Sequence, residues 1–292
     1  MTEALNLDHL RSWIGRAETH DEWLSPWTAS AVAAMLRNDG QAWQAGQALP
    51  PLWHWCYFLP VAPQNGLGPD GHPARGGFLP PVPLPRRMWA GSQLEFLQPL
   101  TLGAPAAKTS RVMDVSLKQG KGGALVFVKV QHEVHTGGAL LLRESQDIVY
   151  REAPRPGEAA PPQAPPIDAA WSVEHRPDTP LLFRYSALTF NSHRIHYDHP
   201  YTTQAEGYPG LVVQGPLIAT LLLEAAQQHN AGRAVRAYSF KAVRPSICGG
   251  LLRVRGQSTQ ADGSLTLWAE DGEGALLMQA TARFESLHQP SP

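Results

Sequence analysis

The chain has 292 residues, long enough for two domains or one large one around a sizeable core. Lys and Arg number 24 against 25 Asp and Glu, a net charge of −1 with no dense basic run, which leaves no field to hold a phosphate backbone and argues against a nucleic-acid partner. The 26 glycines and 27 prolines, more than an average chain carries but fewer than a disordered one, point to a globular protein rich in loops.

In chain order, Met1–Leu10 carries Glu3 and Asp8 where a targeting peptide would be basic, so a cytoplasmic protein is expected. Ser25-Pro26 opens a short amphipathic helix over Trp27–Arg37. Pro50-Pro51 opens the apolar segment Leu49–Phe58, and since proline suits the first turn of a helix, this segment is expected to be the helix of a first folding unit. The uncharged stretches Gln41–Pro69 and Gly207–Leu223 are interrupted by prolines, so neither predicts a membrane span. Cys56 and Cys248 are too far apart in sequence for a disulfide framework or a zinc ribbon and fit a reduced compartment.

Leu94–Gly103 reads as a strand ending at Pro99 and Gly103. The runs Thr109–Lys118, Ala124–Val134 and Ala139–Tyr150 follow, separated by glycine-rich breaks at Gln119–Gly123 and Thr136–Gly138 that suit hairpins. Pro154, Pro156, Pro161, Pro162, Pro165 and Pro166 mark 153–180 as an extended linker. Beyond it, Gly215-Pro216 opens a helix that is apolar on almost every side, as expected where a curved sheet encloses it. Tyr238–Pro245 leads to Gly249, then come Leu251–Gln257, Leu265–Ala269 and Ala275–Ala282, broken at Ala261–Gly263 and Asp271–Gly274.

The order of strand, Pro-x-x-x-Gly and hairpins therefore occurs twice. The chain reads as an internal duplication, with one unit over residues 1–152, the linker over 153–180 and a second unit over 181–292. Each unit is expected to be one helix wrapped by an antiparallel sheet. The two sheets are expected to join edge to edge, because a lone half would expose an unpaired strand edge. With that pairing supplied inside the chain, a homodimer is optional.

The segment Tyr185–Pro200 gathers His193, His196 and His199 with Asn191, Arg194 and Asp198. A metal would need the three histidines on one face of a helix, and Asp198 next to Pro200 works against a continuous helix, so no metal is expected.

Tyr185–Tyr201, followed by Gly207–Pro216, resembles the MaoC-like, type 2 enoyl-CoA hydratases of the hot-dog fold. Their motif, Asp-x-Asn-Pro-Ile/Leu-His, precedes a glycine that opens the central helix. His196 falls on the motif histidine and Gly215 on that glycine; Asn191 stands where the family carries its catalytic aspartate, and His193-Arg194 replaces Asn-Pro. The run Thr189–Asp198 is similar to a narrower branch, the double hot-dog proteins that include itaconyl-CoA hydratases, mesaconyl-C4-CoA hydratases and mitochondrial-type 3-hydroxyacyl thioester dehydratases. Pro51–Trp55, Leu84–Gly91 and Asp147–Glu152 agree with that branch. The resemblance covers about Trp43 to Glu285. It implies an α+β double hot-dog, two antiparallel sheets each wrapped around a central helix, and a hydro-lyase acting on an acyl-CoA with no cofactor beyond the coenzyme A of the substrate.

Adding water to an α,β-unsaturated thioester requires a base for water, an acid for the α carbon and donors for the enolate oxygen. His196 suits both proton transfers, since an imidazole titrates near operating pH. Asn191 cannot accept a proton and would position the water, and the Gly215 N–H at the positive end of its helix suits the thioester oxygen. His193 is placed with the substrate-binding residues. Arg194 has two readings, a substrate carboxylate or Asp198. Arg75, Arg86 and Arg87, expected on a proline-rich loop, would meet coenzyme A phosphates or a carboxylate, or simply be solvated. The first half holds seven of nine tryptophans and, before Leu94, nothing like Asn-x-His-x-x-His, so it is expected to be a lid or partner.

The favoured substrate is a short, branched dicarboxylic acyl-CoA, itaconyl-CoA or mesaconyl-C4-CoA, giving citramalyl-CoA. Dehydration of 3-hydroxyacyl-CoA or acyl-carrier-protein thioesters is the rival. A thioesterase would want a carboxylate near the middle of the helix, where Glu224 lies about 13 Å beyond Gly215. A non-enzymatic thioester-binding module would bury His196 against backbone alone and leave no space beside Gly215.

Overall fold

The computed structural model describes residues 5–36, 42–120, 123–152, 162–166 and 168–286. In chain order its elements are α1 (Leu7–Arg11), β1 (Ala17–Trp23), α2 (Pro26–Leu36), β2 (Arg86–Phe96), β3 (Pro105–Gly120), β4 (Gly123–Thr136), β5 (Ala139–Arg151), β6 (Trp171–His175), α3 (Thr179–Leu188), α4 (Gly215–Gln228), β7 (Val235–Ala242), β8 (Leu252–Gly256), β9 (Ser264–Asp271) and β10 (Leu276–Phe284). The two expected meanders are β2–β5 and β7–β10, but the first strand of the first meander runs Arg86–Phe96 and not Leu94–Gly103: the chain leaves the ladder after Phe96 and turns through Pro99 and Gly103. The short helix begins at Pro26; Arg37, at its expected end, lies outside the described residues.

All the strands belong to one antiparallel sheet in the order β1-β3-β4-β5-β2-β7-β10-β9-β8-β6. The halves meet where β2 pairs with β7, from Gly91↔Lys241 to Glu95↔Ala237, which is the edge-to-edge join expected of a double hot-dog. The middle pair of this joint, Gln93↔Ser239, is separated in sequence by the same number of residues as Pro99 from Pro245 and Gly103 from Gly249. The joint is thus the pseudo-twofold axis of the duplication. The local geometry repeats too. The Leu141 carbonyl accepts the N–H groups of both Leu97 and Gln98, the Leu277 carbonyl those of both Val243 and Arg244, and Gly103 and Gly249 are both left-handed. At the joint, a β-carbon on Gly91 would strike the Phe240 carbonyl oxygen, so the strands meet this closely only because position 91 is glycine.

In the second half α4 packs against β7, β8, β9 and β10, and ten consecutive residues, Leu217–Ala226, are buried. At roughly 1.5–3 kcal/mol for each fully buried large aliphatic side chain, this helix anchors the core. The first half differs from expectation, because Leu49–Phe58 is not a long helix. It contains a single 3-10 turn, Trp53–Cys56, bracketed by left-handed Leu52 and Phe58. Its side chains diverge to separate anchors: Trp53 Nε1 donates to Glu224 of α4 (2.8 Å), Trp55 Nε1 to Glu144 (3.0 Å), and the Tyr57 hydroxyl to the Ser25 carbonyl (2.6 Å). His54 also bonds Glu144, at 3.2 Å. A regular helix would turn consecutive residues by about 100° and could not keep all these bonds. The turn and α2 join α4 in one core, while α1 and residues 78–84 cover the other face of the first-half sheet.

Of the stretch read as a linker, 153–161 and 167 lie outside the described residues. Its later part is not a plain connection, since β6 pairs with β8 and Asp178 caps α3 by accepting the Leu181 N–H. No described helix is long and apolar enough to cross a membrane.

Candidate active site

The histidine-bearing segment leaves α3 through a C-terminal cap. The Asn191 N–H bonds the Ser186 carbonyl and the Phe190 N–H that of Ala187, with Phe190 left-handed at φ 49° where glycine is usual. A bulky residue there costs roughly 1 kcal/mol or more, a strain of the sort found where a functional loop must be aimed. Asn191 then turns its Oδ1 back to accept the His193 N–H (3.1 Å), and its amide NH2 has no hydrogen bond to a described residue. Arg194–His196 make one 3-10 turn, followed by a π turn at Tyr201–Ala205. The three histidines do not share a helical face.

His196 is buried, and its Nδ1 lies 2.7 Å from the Val212 carbonyl. A carbonyl can only accept, so the proton sits on Nδ1 and the lone pair on Nε2. Burial pushes this imidazole down to about 4, against the smaller upward pull of the Val212 bond, and it is neutral at pH 7. Val212 lies three residues before Gly215. As the first residue of α4, Gly215 has no acceptor for its N–H inside the helix, and a β-carbon there would meet no atom within 4 Å. Gln214 moors the helix start by donating to the Leu182 carbonyl (2.9 Å) and to Ser186 Oγ (3.0 Å). The His196 imidazole and the helix N-terminus are thereby held to one frame, with open space at the glycine. Of the two features a binding-only module called for, His196 is indeed buried with its bond to a backbone carbonyl, but the space beside Gly215 is not closed.

The first half supplies a wall of this site that the sequence reading missed. The segment Pro69–His72 clamps onto Ser192–Arg194. The Asp70 carbonyl accepts the Arg194 N–H (2.9 Å), the Pro69 carbonyl accepts from the Arg194 guanidinium (3.0 Å), and the Gly71 carbonyl accepts the Ser192 hydroxyl. Gly71 is left-handed at φ 85°, and a β-carbon on it would overlap the Ser192 carbonyl oxygen. Asp70 accepts both the backbone N–H (3.0 Å) and Nδ1 (3.1 Å) of His72. The His72 ring lies 4.1 Å from that of His193, which meets His196 edge-on at 5.5 Å. Burial, with His72 and His196 alongside, pushes His193 down to about 2, and burial also lowers His72. Burial alone would raise Asp70, but its bonds to His72 and the charge of Arg87 hold it well below the ordinary carboxylate range. The Asp70, His72 and His193 ligand atoms lie within 4.8 Å of one another, a spacing open to a metal ion, but the charge of Arg87 acts on all three groups and that of Arg75 on His72, and both oppose one.

The arginines part company. Arg194 donates from both Nε and Nη2 to Asp198 Oδ2 (2.9 and 2.7 Å) and stacks over Tyr201, so the structure places it on the loop. Arg86 and Arg87 open β2 and do not lie on a solvated loop as expected: Arg86 pairs with Glu206 (3.1 Å) over the Tyr208 ring. Arg75 binds the carbonyls of Val82, Leu84 and Pro85. Glu224, the carboxylate a thioesterase would need, accepts from Trp53 deep in the core. A reader of sequence had one hint of the missed wall: Asp70-Gly71-His72 is a rare concentration of polar chemistry in a proline-rich loop.

A family model for hydroxyacyl-thioester dehydratase type 2 matches residues 52–248. The chain is 45% identical over 274 residues to a mesaconyl-C4-CoA hydratase of Chloroflexus aurantiacus, covering 94% of this chain and 97% of that protein. It is 25% identical over 235 residues to the mitochondrial hydroxyacyl-thioester dehydratase type 2 of Schizosaccharomyces pombe, covering 71% and 77%. Among solved structures, a MaoC-like dehydratase from Phytophthora capsici superposes with a TM-score of 0.70 at 16% identity, over 97% of this chain and all of that one, and shares the fold.

Proposed function

We propose that this chain, which belongs to the hydroxyacyl-thioester dehydratase type 2 family, adds water to a short, branched dicarboxylic enoyl-CoA, mesaconyl-C4-CoA or its isomer itaconyl-CoA, to give citramalyl-CoA. It is a hydro-lyase. The observation that carries the reading is His196, a buried neutral imidazole whose Nδ1–H is committed to the Val212 carbonyl, three residues before the open helix N-terminus at Gly215, and whose Nε2 lone pair is left for chemistry.

With mesaconyl-C4-CoA, whose double bond is conjugated with the thioester, His196 Nε2 takes one proton from water as the water oxygen bonds the β carbon. The electron pair of the double bond moves toward the thioester, whose oxygen is stabilised by the Gly215 N–H and the dipole of α4. The resulting enolate then takes the proton from His196 Nε2 to form the α C–H bond, which returns the histidine to its starting state. Asn191 orients the water through its free amide group, a positioning role that needs no carboxylate. The reaction calls for no cofactor. A homodimer is compatible but unnecessary, because β2 and β7 already pair the halves.

The test is a panel of mesaconyl-C4-CoA, itaconyl-CoA, crotonyl-CoA and a long straight-chain enoyl-CoA, followed by loss of the enoyl chromophore. The dicarboxylic esters should turn over with the highest kcat/KM. A preference for crotonyl-CoA or the long ester would move the function to straight-chain 3-hydroxyacyl thioesters, the activity named for the yeast relative.

A further inference from the structure

Four arginines stand around the histidine loop, and three are committed. Arg194 holds Asp198, Arg86 holds Glu206, and Arg75 holds three backbone carbonyls. Arg87 is half-buried and makes no ion pair with a described carboxylate, although its charge acts on Asp70, His72 and His193. Asp70, the anion of this cluster, has spent both oxygens on His72. In the β2–β5 ladder Arg87 lies directly opposite Tyr150, so the two side chains leave the same face of the sheet.

The Tyr150 hydroxyl adds an independent observation. It is fully buried and meets no acceptor among the described residues, and Arg87 beside it carries only donors. A buried O–H without an acceptor is a cost the free protein carries. One chemical group satisfies the Tyr150 O–H and the guanidinium N–H groups that do not face Tyr150, a carboxylate that takes N–H groups from Arg87 and the O–H from Tyr150.

We propose that Arg87 and Tyr150 form the subsite for the free carboxylate of the acyl group, so that the first half, which has no catalytic histidine of its own, sets substrate selectivity. This rests on the dicarboxylic acyl-CoA reading above. The phosphates of coenzyme A are another source of an anion, but they are separated from the thioester by the whole pantetheine arm, whereas this pair adjoins the ring of His193 through the Asp70–His72 segment.

The experiment compares kcat/KM for mesaconyl-C4-CoA and crotonyl-CoA, which share coenzyme A and differ in the carboxylate, in wild type, Arg87→Gln, Arg87→Lys and Tyr150→Phe. The ratio of the two values should fall about 100-fold in Arg87→Gln, chiefly through KM for the dicarboxylic ester. It should fall about 10-fold in Tyr150→Phe and less in Arg87→Lys than in Arg87→Gln. Tyr150→Phe should unfold at the wild-type temperature or above, because the hydroxyl it deletes serves the ligand and not the fold. An equal loss for both esters in Arg87→Gln and Tyr150→Phe assigns the pair to the phosphates or to stability and overturns the proposal. A wild type without preference for mesaconyl-C4-CoA sinks the dicarboxylate reading and the subsite together. A wild-type preference that survives Arg87→Gln sinks the subsite alone.

Discussion

Replacing Gly215 with alanine separates fold from chemistry, because the two effects have opposite signs. The added β-carbon meets no atom within 4 Å, and the backbone there is outside the left-handed region, so the methyl group strains nothing. Alanine is the better helix former by up to ~1 kcal/mol in a helix interior and by less at the first position, so the midpoint of thermal unfolding should stay level or rise by a degree or two. The same methyl group stands in the open space through which a thioester oxygen would approach the Gly215 N–H. Loss of one such donor costs about 100- to 1,000-fold in kcat. Steady-state hydration of mesaconyl-C4-CoA beside differential scanning fluorimetry provides both readings. Turnover within threefold of wild type would refute the placement of the thioester oxygen at this helix, and an unfolded variant would refute the open space.

His196→Ala should cut kcat by a factor on the order of 100 to 10,000 with little change in KM, and Asn191→Ala should cost less. Asn191→Asp should stay active, because one carboxylate oxygen can still accept the His193 N–H and the other can hold the water by accepting its O–H in place of the amide; an inactive His193→Ala beside a near-wild-type His196→Ala would show that the base has been misassigned. Since burial holds His196 down at about 4, kcat/KM should stay level from pH 8 to about 5 and fall below that as Nε2 gains a proton; an acid limb near the ordinary 6.5 would mean a solvated base. The same depression favours folding above 6.5 and is lost as pH falls toward 4, so activity recovered on return to pH 7 distinguishes protonation from unfolding. Gly91→Ala should loosen the β2–β7 joint by about 1–3 kcal/mol through collision with the Phe240 carbonyl, read as a drop of several degrees in the unfolding midpoint, and an unchanged midpoint would show that the joint can shift.

Local pattern was enough for much of this molecule. Seven of the eight meander strands, their glycine hairpins, the helix at Gly215-Pro216 and the repeated order of elements follow from alternation, turn chemistry and repeated Pro and Gly positions, which act over a few residues; β2 was misplaced, because Pro80–Pro85 made Arg86 and Arg87 look like loop. The motif around Asn191 and His196 was legible for the same reason. The segment Leu49–Phe58 misled, because apolar content and prolines do not reveal that Trp53, Trp55 and Tyr57 have anchors in three different directions.

The sequence by itself pointed to the repeated strand pattern, the edge-to-edge sheet and the histidine-bearing segment. Only the tertiary structure decided which residues complete the site. It brings Asp70 and His72 against His193 across more than a hundred residues of chain, commits Arg86, Arg194 and Arg75 to partners of their own, and leaves Arg87 beside Tyr150 with donors unused. The physical reason is that a side chain's charge and hydrogen bonds are spent on whatever lies nearest in space, and for the first half's loop that neighbour belongs to the second half of the chain.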